Sequence, residues 1–120
     1  MTKSDDAAVQ ELLPLPPATF HILLALSAGD RHGYGIIQDV EARTGGMLRL
    51  SPGTLYRTIQ RLLEQGLITE PTRRDTRLDD PRRRYYRISS FGRAVARADA
   101  ERLAHLVGLA RGVGLLGGTS

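Results

Sequence analysis

The sequence predicts a mainly α-helical domain with one small β-hairpin, followed by a single long helix. Three observations predict it. Apolar residues recur at helical spacing in three blocks between Phe20 and Leu63, each stopped by glycine. Residues 67–70 and 84–88 have strand character and flank a polar stretch suited to a hairpin loop. A fourth helical pattern runs over residues 90–111 with no proline inside it.

Taken in order, residues 1–13 are mostly polar and are expected to be flexible, with a short turn of helix at 9–13. Pro14, Pro16 and Pro17 stop that turn and start the next element, because proline fits the first helical turn. Phe20, Leu23, Leu24 and Ala28 form the stripe of this helix, and Gly29 ends it. A second helix is expected over residues 34–44, burying Ile36, Ile37 and Val40 and stopping at Gly45 and Gly46. Residues 47–50 alternate enough to suggest a very short strand.

The stretch SPGTLYRTIQRLLEQGL, residues 51–67, is the most fully specified. Ser51 is a good N-cap, and Pro52 sits where its missing N–H costs nothing. Leu55, Ile59, Leu62 and Leu63 lie on one face of a helix. The opposite face carries Gly53, Arg57, Gln60, Arg61 and Glu64, with Thr54 and Tyr56 on its flanks. Gly66 fits the residue after the helix end. The last helix should start near Ser90 and carry Phe91, Val95, Ala98, Leu103, Leu106, Val107 and Ala110, ahead of a mobile tail over 112–120. Leu103, Leu106, Val107 and Ala110 find nothing left to cover them in so small a domain, so a second copy is expected there, the alternative being that this helix folds back on the N-terminal segment of its own chain.

Composition narrows the chemistry. The 120 residues are 41% hydrophobic and 25% charged, ordinary values for one small globular domain. The absence of cysteine removes disulfides, thiolate metal sites and thiol nucleophiles together. The longest apolar run is too short to span a bilayer, and the residues before it are acidic rather than basic, so a cytoplasmic protein with no membrane partner is expected. Between Pro71 and Arg87, seven arginines (Arg73, Arg74, Arg77, Arg82, Arg83, Arg84 and Arg87) face three aspartates. That segment carries the whole net charge of +4. Arginine suits bidentate phosphate contacts, so the loop points to a polyanion rather than to a bland solvated turn.

Three helices followed by a hairpin with a basic tip describe a winged helix-turn-helix over residues 14–89, with a dimerisation helix over 90–111. The third helix would enter a DNA groove through Ser51, Gly53, Thr54, Tyr56, Arg57, Gln60 and Arg61. The wing would reach the backbone with Arg73, Arg74, Arg77, Arg82, Arg83 and Arg84. Tyr34 and Tyr86 read as packing residues, Tyr56 as either core edge or phosphate donor, and His32 as a structural cap. No histidines or carboxylates have metal-ligand spacing, so neither metal nor cofactor is expected. Ser89, Asp99 and His105 match a hydrolase trio by residue type alone, without supporting spacing.

The segments HGYGI (32–36), LSPGTLYRTIQRLLEQGLI (50–68) and RRRYYRISSFGR (82–93) occur in the order seen in the PadR family of bacterial transcriptional regulators. The chain resembles that family over residues 15–93. The resemblance implies a dimeric winged-helix repressor, in some members released by a small aromatic or cationic effector, and a two-fold dimer with two recognition helices calls for an inverted-repeat operator. The short C-terminus resembles the compact branch, in which one long last helix makes the dimer. Ser89 stands where the family usually has Thr, Phe91 where a small or polar residue is usual, and the loop over 72–83 is longer than the usual turn. With no tryptophan and 5% aromatics, an effector site built on aromatic stacking loses support. The alternatives are a winged-helix protein–protein module, which would want an apolar third helix, and an RNA binder, which would want aromatic platforms in the basic segment.

Overall fold

The computed structural model describes residues 3–71 and 84–117. Five helices and a small antiparallel sheet follow in the order α1 (Lys3–Glu11), α2 (Pro17–Ser27), β1 (Arg31–His32), α3 (Gly33–Arg43), α4 (Pro52–Glu64), β2 (Ile68–Thr69), β3 (Tyr85–Ile88) and α5 (Ser90–Gly112). The expected mainly α fold with a small hairpin is present, and a third strand joins the sheet in the order β1-β3-β2. Ile68 faces Ile88 and Thr69 faces Arg87 on one side of β3, while Arg31 faces Tyr86 and His32 faces Tyr85 on the other.

Helix α2 is the centre of the domain, packing on α3, α4, α5 and β3. Its buried residues are Thr19, Ile22, Leu23, Ala25 and Leu26, a broad face rather than the narrow stripe expected. Leu24, placed in that stripe from the sequence, is 39% exposed. A helix apolar on nearly every side gives periodicity little to select between. The core then gathers Ile36 and Val40 from α3, Leu55, Ile59 and Leu62 from α4, Leu67 and Ile68 beside β2, Tyr86 and Ile88 from β3, and Val95 from α5.

The N-terminal segment departs from the expectation of a loose tail. Residues 3–11 are helical, and Val9 is buried where α1 packs on α5. Small side chains at Ala94 and Ala98 leave room for that approach. Residues 47–50 form no strand. The Thr44 hydroxyl donates to the Val40 carbonyl at 2.8 Å and accepts from the Leu48 amide at 3.1 Å, so the loop is wound onto the end of α3. Met47 is 90% exposed, while Leu50 turns back into the core.

The short β1 ties the layers together. Arg31 donates through Nε to the Ala25 carbonyl near the end of α2, and its other nitrogen meets Asp39 on α3 at 3.1 Å. His32 is the N-cap of α3, accepting the Gly35 amide on Nδ1 at 3.0 Å, with its ring edge-on to Tyr85. The expected capping role of His32 is thus observed. Tyr34 is not a packing residue. It lies about 200° around α3 from Ile36 and is 61% exposed.

Ser89 caps α5 by accepting the Gly92 amide at 2.9 Å, and its hydroxyl donates to the Gly66 carbonyl at 2.6 Å. The Ser89 amide donates to the Leu67 carbonyl, so the start of α5 is fixed to the strand that leaves α4. Phe91 is half-buried against the core.

Candidate nucleic-acid interface

Helix α4 begins as its sequence dictates. Ser51 is extended (φ −74°, ψ 153°), its Oγ accepts the Thr54 amide at 3.1 Å, and Pro52 occupies the first turn. The helix ends at Gly66, whose φ of +74° is strained for any residue with a side chain. Leu55, Thr58, Ile59 and Leu62 are buried, and Thr58 satisfies its hydroxyl on the Thr54 carbonyl. Ser51, Gly53, Tyr56, Arg57, Gln60 and Arg61 are exposed, and Thr54 is half-buried. The residues assigned to a DNA face from sequence are therefore brought together on one outer surface.

Their roles within that surface differ. Thr54 Oγ1 accepts from Ser51 Oγ at 3.0 Å and from Arg57 Nη2 at 3.4 Å. Thr54 thus steers Arg57 back over the helix start. A Cβ at Gly53 would make only ordinary contact with Arg57, 3.5 Å from a guanidinium nitrogen. Tyr56 lies across Gly33, where a Cβ would overlap its hydroxyl. The ring packs on α3 while half of it stays exposed, which places Tyr56 at the edge of the core.

The charges on this surface are unneutralised. Arg31, Arg43, Arg49, Arg87 and Arg102 each meet a carboxylate within 3.1 Å. Arg57 and Arg61 meet none among the described residues. The Asp30–Arg87 pair joins the α2–β1 turn to β3 through both carboxylate oxygens, which raises the Arg87 pKa, chiefly through the hydrogen bond. Sequence spacing gave no sign of that pair, whose members lie 57 residues apart.

At the neck of the wing, Arg84 reaches Glu70 at 3.8 Å, a loose contact between two exposed side chains. Arg73, Arg74, Arg77, Arg82 and Arg83 lie outside the described residues. Tyr86 is buried, and burial raises its pKa, with Glu70 and Tyr56 adding to the rise and Arg84 opposing it.

Helix α5 is 23 residues long, roughly 34 Å at 1.5 Å per residue. Its inner face is buried at Gly92, Val95 and Asp99, and Asp99 is held by Arg102 at 2.7 Å. The same side of the helix continues as Leu106, Ala110 and Val113, and there it is no longer covered. Leu103, Leu106 and Val107 are exposed and Ala110 is half-buried, while Leu109, Val113 and Leu116 extend the apolar surface beyond the four residues chosen from sequence. Ser89 and His105 stand sixteen residues apart, roughly 24 Å along this helix, so the hydrolase trio is not assembled. No group of three potential metal ligands occurs among the described residues.

Three helices, a wing and an uncompensated arginine face define a DNA-binding winged-helix fold. Residues 22–98 match the transcriptional regulator PadR-like family, and the chain belongs to that family. Transcriptional regulator Rv3488 of Mycobacterium tuberculosis is 39% identical over 86 residues, which cover 72% of this chain and 75% of that one. Three other curated relatives are matched over less of their length, 65% of one and 23% of the other two. A PadR-like transcriptional regulator from Bacillus cereus shares the fold with a TM-score of 0.69 at 20% identity, over 91% of this chain and 99% of that one. Bacillus subtilis PadR, solved in complex with operator DNA, has a TM-score of 0.56 at 22% identity, over 75% of this chain and 48% of that one. No helix among the described residues is long and apolar enough to cross a membrane.

Proposed function

We propose that this chain is a cytoplasmic, homodimeric repressor that binds an inverted-repeat DNA operator through α4. One observation carries the proposal: Arg57 and Arg61 stand exposed on one face of a capped helix with no carboxylate partner among the described residues, while Arg31, Arg43 and Arg49 around α3 are paired. Two guanidiniums left free on the recognition helix suit base edges and phosphates. The wing arginines add sequence-independent phosphate contacts, and Leu103, Leu106, Val107 and Ala110 join two copies. The operator complex of Bacillus subtilis PadR supports the DNA assignment by fold. A protein–protein module would want an apolar outer face on α4, and Arg57, Gln60 and Arg61 oppose it. Grooves beside α5, holding about 210 to 490 Å³, give a small effector a place from which to shift the dimer helix.

The test is Arg57→Ala, measured on an operator selected from random DNA and on an unrelated duplex. The substitution is expected to cost about 1–3 kcal/mol on the operator, the worth of a bidentate base contact, and less on the unrelated duplex. Equal losses on both would make Arg57 a backbone contact.

A further inference from the structure

Of the two exposed arginines of α4, one is held in place and the other is not. Arg57 Nη2 donates to Thr54 Oγ1 at 3.4 Å, and its other terminal nitrogen lies 3.5 Å from where a Cβ on Gly53 would stand. The guanidinium therefore lies over the first turn of the helix, the part of a recognition helix that meets base edges. Arg61, one turn further along, has no hydrogen-bond or ion-pair partner among the described residues.

The hydroxyl that holds Arg57 is itself anchored. Ser51 Oγ accepts the Thr54 amide at 3.1 Å and donates to Thr54 Oγ1 at 3.0 Å. Ser51 and Arg57 thus fill both lone pairs of Thr54 Oγ1, so Thr54 has no acceptor left to offer a base. The guanidinium keeps what it needs. Nη2 carries two protons, one on each of the two-donor edges of the group. Spending one on Thr54 leaves the other edge whole, a rigid fork of two parallel N–H donors. In the major groove only guanine sets two acceptors side by side, N7 and O6. Adenine sets an acceptor beside a donor, cytosine shows a donor, and thymine shows one acceptor beside a methyl group.

We propose that Arg57 reads a guanine in each half-site and that Thr54 is the positioning residue that makes it selective for that base. The proposal rests on the DNA-binding role of α4. Without the Thr54 hydroxyl, Arg57 is a long flexible chain that reaches a phosphate as readily as a base edge. Affinity for DNA in general then survives while the choice of base is lost. Arg61, which has no such anchor, suits the phosphate role from the start.

The experiment uses the full chain and an operator selected from random DNA, with each guanine replaced in turn by 7-deazaguanine. That base keeps its pairing and loses only the N7 acceptor. For the parent, one guanine in each half-site should carry a penalty of about tenfold, within the range of a bidentate base contact. In Arg57→Ala that penalty should fall below about twofold, while the other guanines keep theirs. Thr54→Val keeps a branched side chain of similar size and the amide that Ser51 caps, and removes the hydroxyl. Its penalty at the same guanine should fall to about threefold or less, and Thr54→Ser should restore about tenfold. Both Thr54 variants should bind an unrelated duplex as the parent does. A Thr54→Val penalty equal to the parent's, or one that Thr54→Ser fails to restore, would overturn the positioning role. An equal loss of Thr54→Val binding on operator and unrelated duplex would overturn it too, by making Thr54 a backbone contact. Penalties that Arg57→Ala leaves unchanged at every guanine would overturn the guanine contact. A parent chain that enriches no sequence at all would overturn the reading beneath the proposal instead.

Discussion

A chain stopped after Arg102 is expected to be a folded monomer that binds a single half-site weakly. Such a chain keeps Val95 and the Asp99–Arg102 pair, so α1 and α2 retain their seat on α5. It loses Leu103, Leu106, Val107, Leu109, Ala110 and Val113, the apolar side of α5 left uncovered by its own domain. Tethering two recognition helices makes the second contact intramolecular, so losing the tether should weaken operator binding by about 10²–10⁴-fold. Sedimentation gives the mass and a binding titration gives the loss. A truncated chain that still sediments as a dimer would place the interface elsewhere. Cutting earlier, at Gly92, would confuse the result by removing Val95 from the core.

Gly92→Ala is expected to be strongly destabilising. A Cβ at Gly92 would overlap the Leu67 carbonyl oxygen and press on the Ile88 side chain. The obstacle is backbone, and that carbonyl already accepts the Ser89 amide, so neither side can yield without detaching α5 from β2. The cost should reach about 3 kcal/mol, the upper end of ordinary overpacking. Gly108→Ala serves as the comparison, because nothing lies within 4 Å of a Cβ there. That change should stabilise the helix by about 0.5–1 kcal/mol. Urea unfolding of both variants decides the matter, and equal midpoints would contradict the close packing of α5 on Leu67.

The parts of this molecule legible in the sequence are those specified locally. Ser51-Pro52, the spacing of Leu55, Ile59 and Leu62, and Gly66 define α4 within a single segment, and its outer face followed from them. The parts that were not legible depend on partners far along the chain. Helix α1 is held where Val9 meets α5, a surface formed by residues more than eighty positions later. Strand β1 is two residues long, too short to alternate, and exists because β3 lies beside it. Tyr34 and Tyr86 share a residue type and take opposite environments, since one lies on the outer turn of a helix and the other on the inner face of a strand. The Asp30–Arg87 pair also needs the closed sheet before its members meet.

The central claim is that two copies of α4 read a two-fold symmetric DNA site. Selection of bound duplexes from a random pool by the full chain tests it most directly. An enriched inverted repeat is predicted, with half-sites centred about 34–36 Å apart or a multiple of that distance, one helical turn being the separation two such helices can span. A bound pool with no sequence enriched over the starting mixture would contradict it.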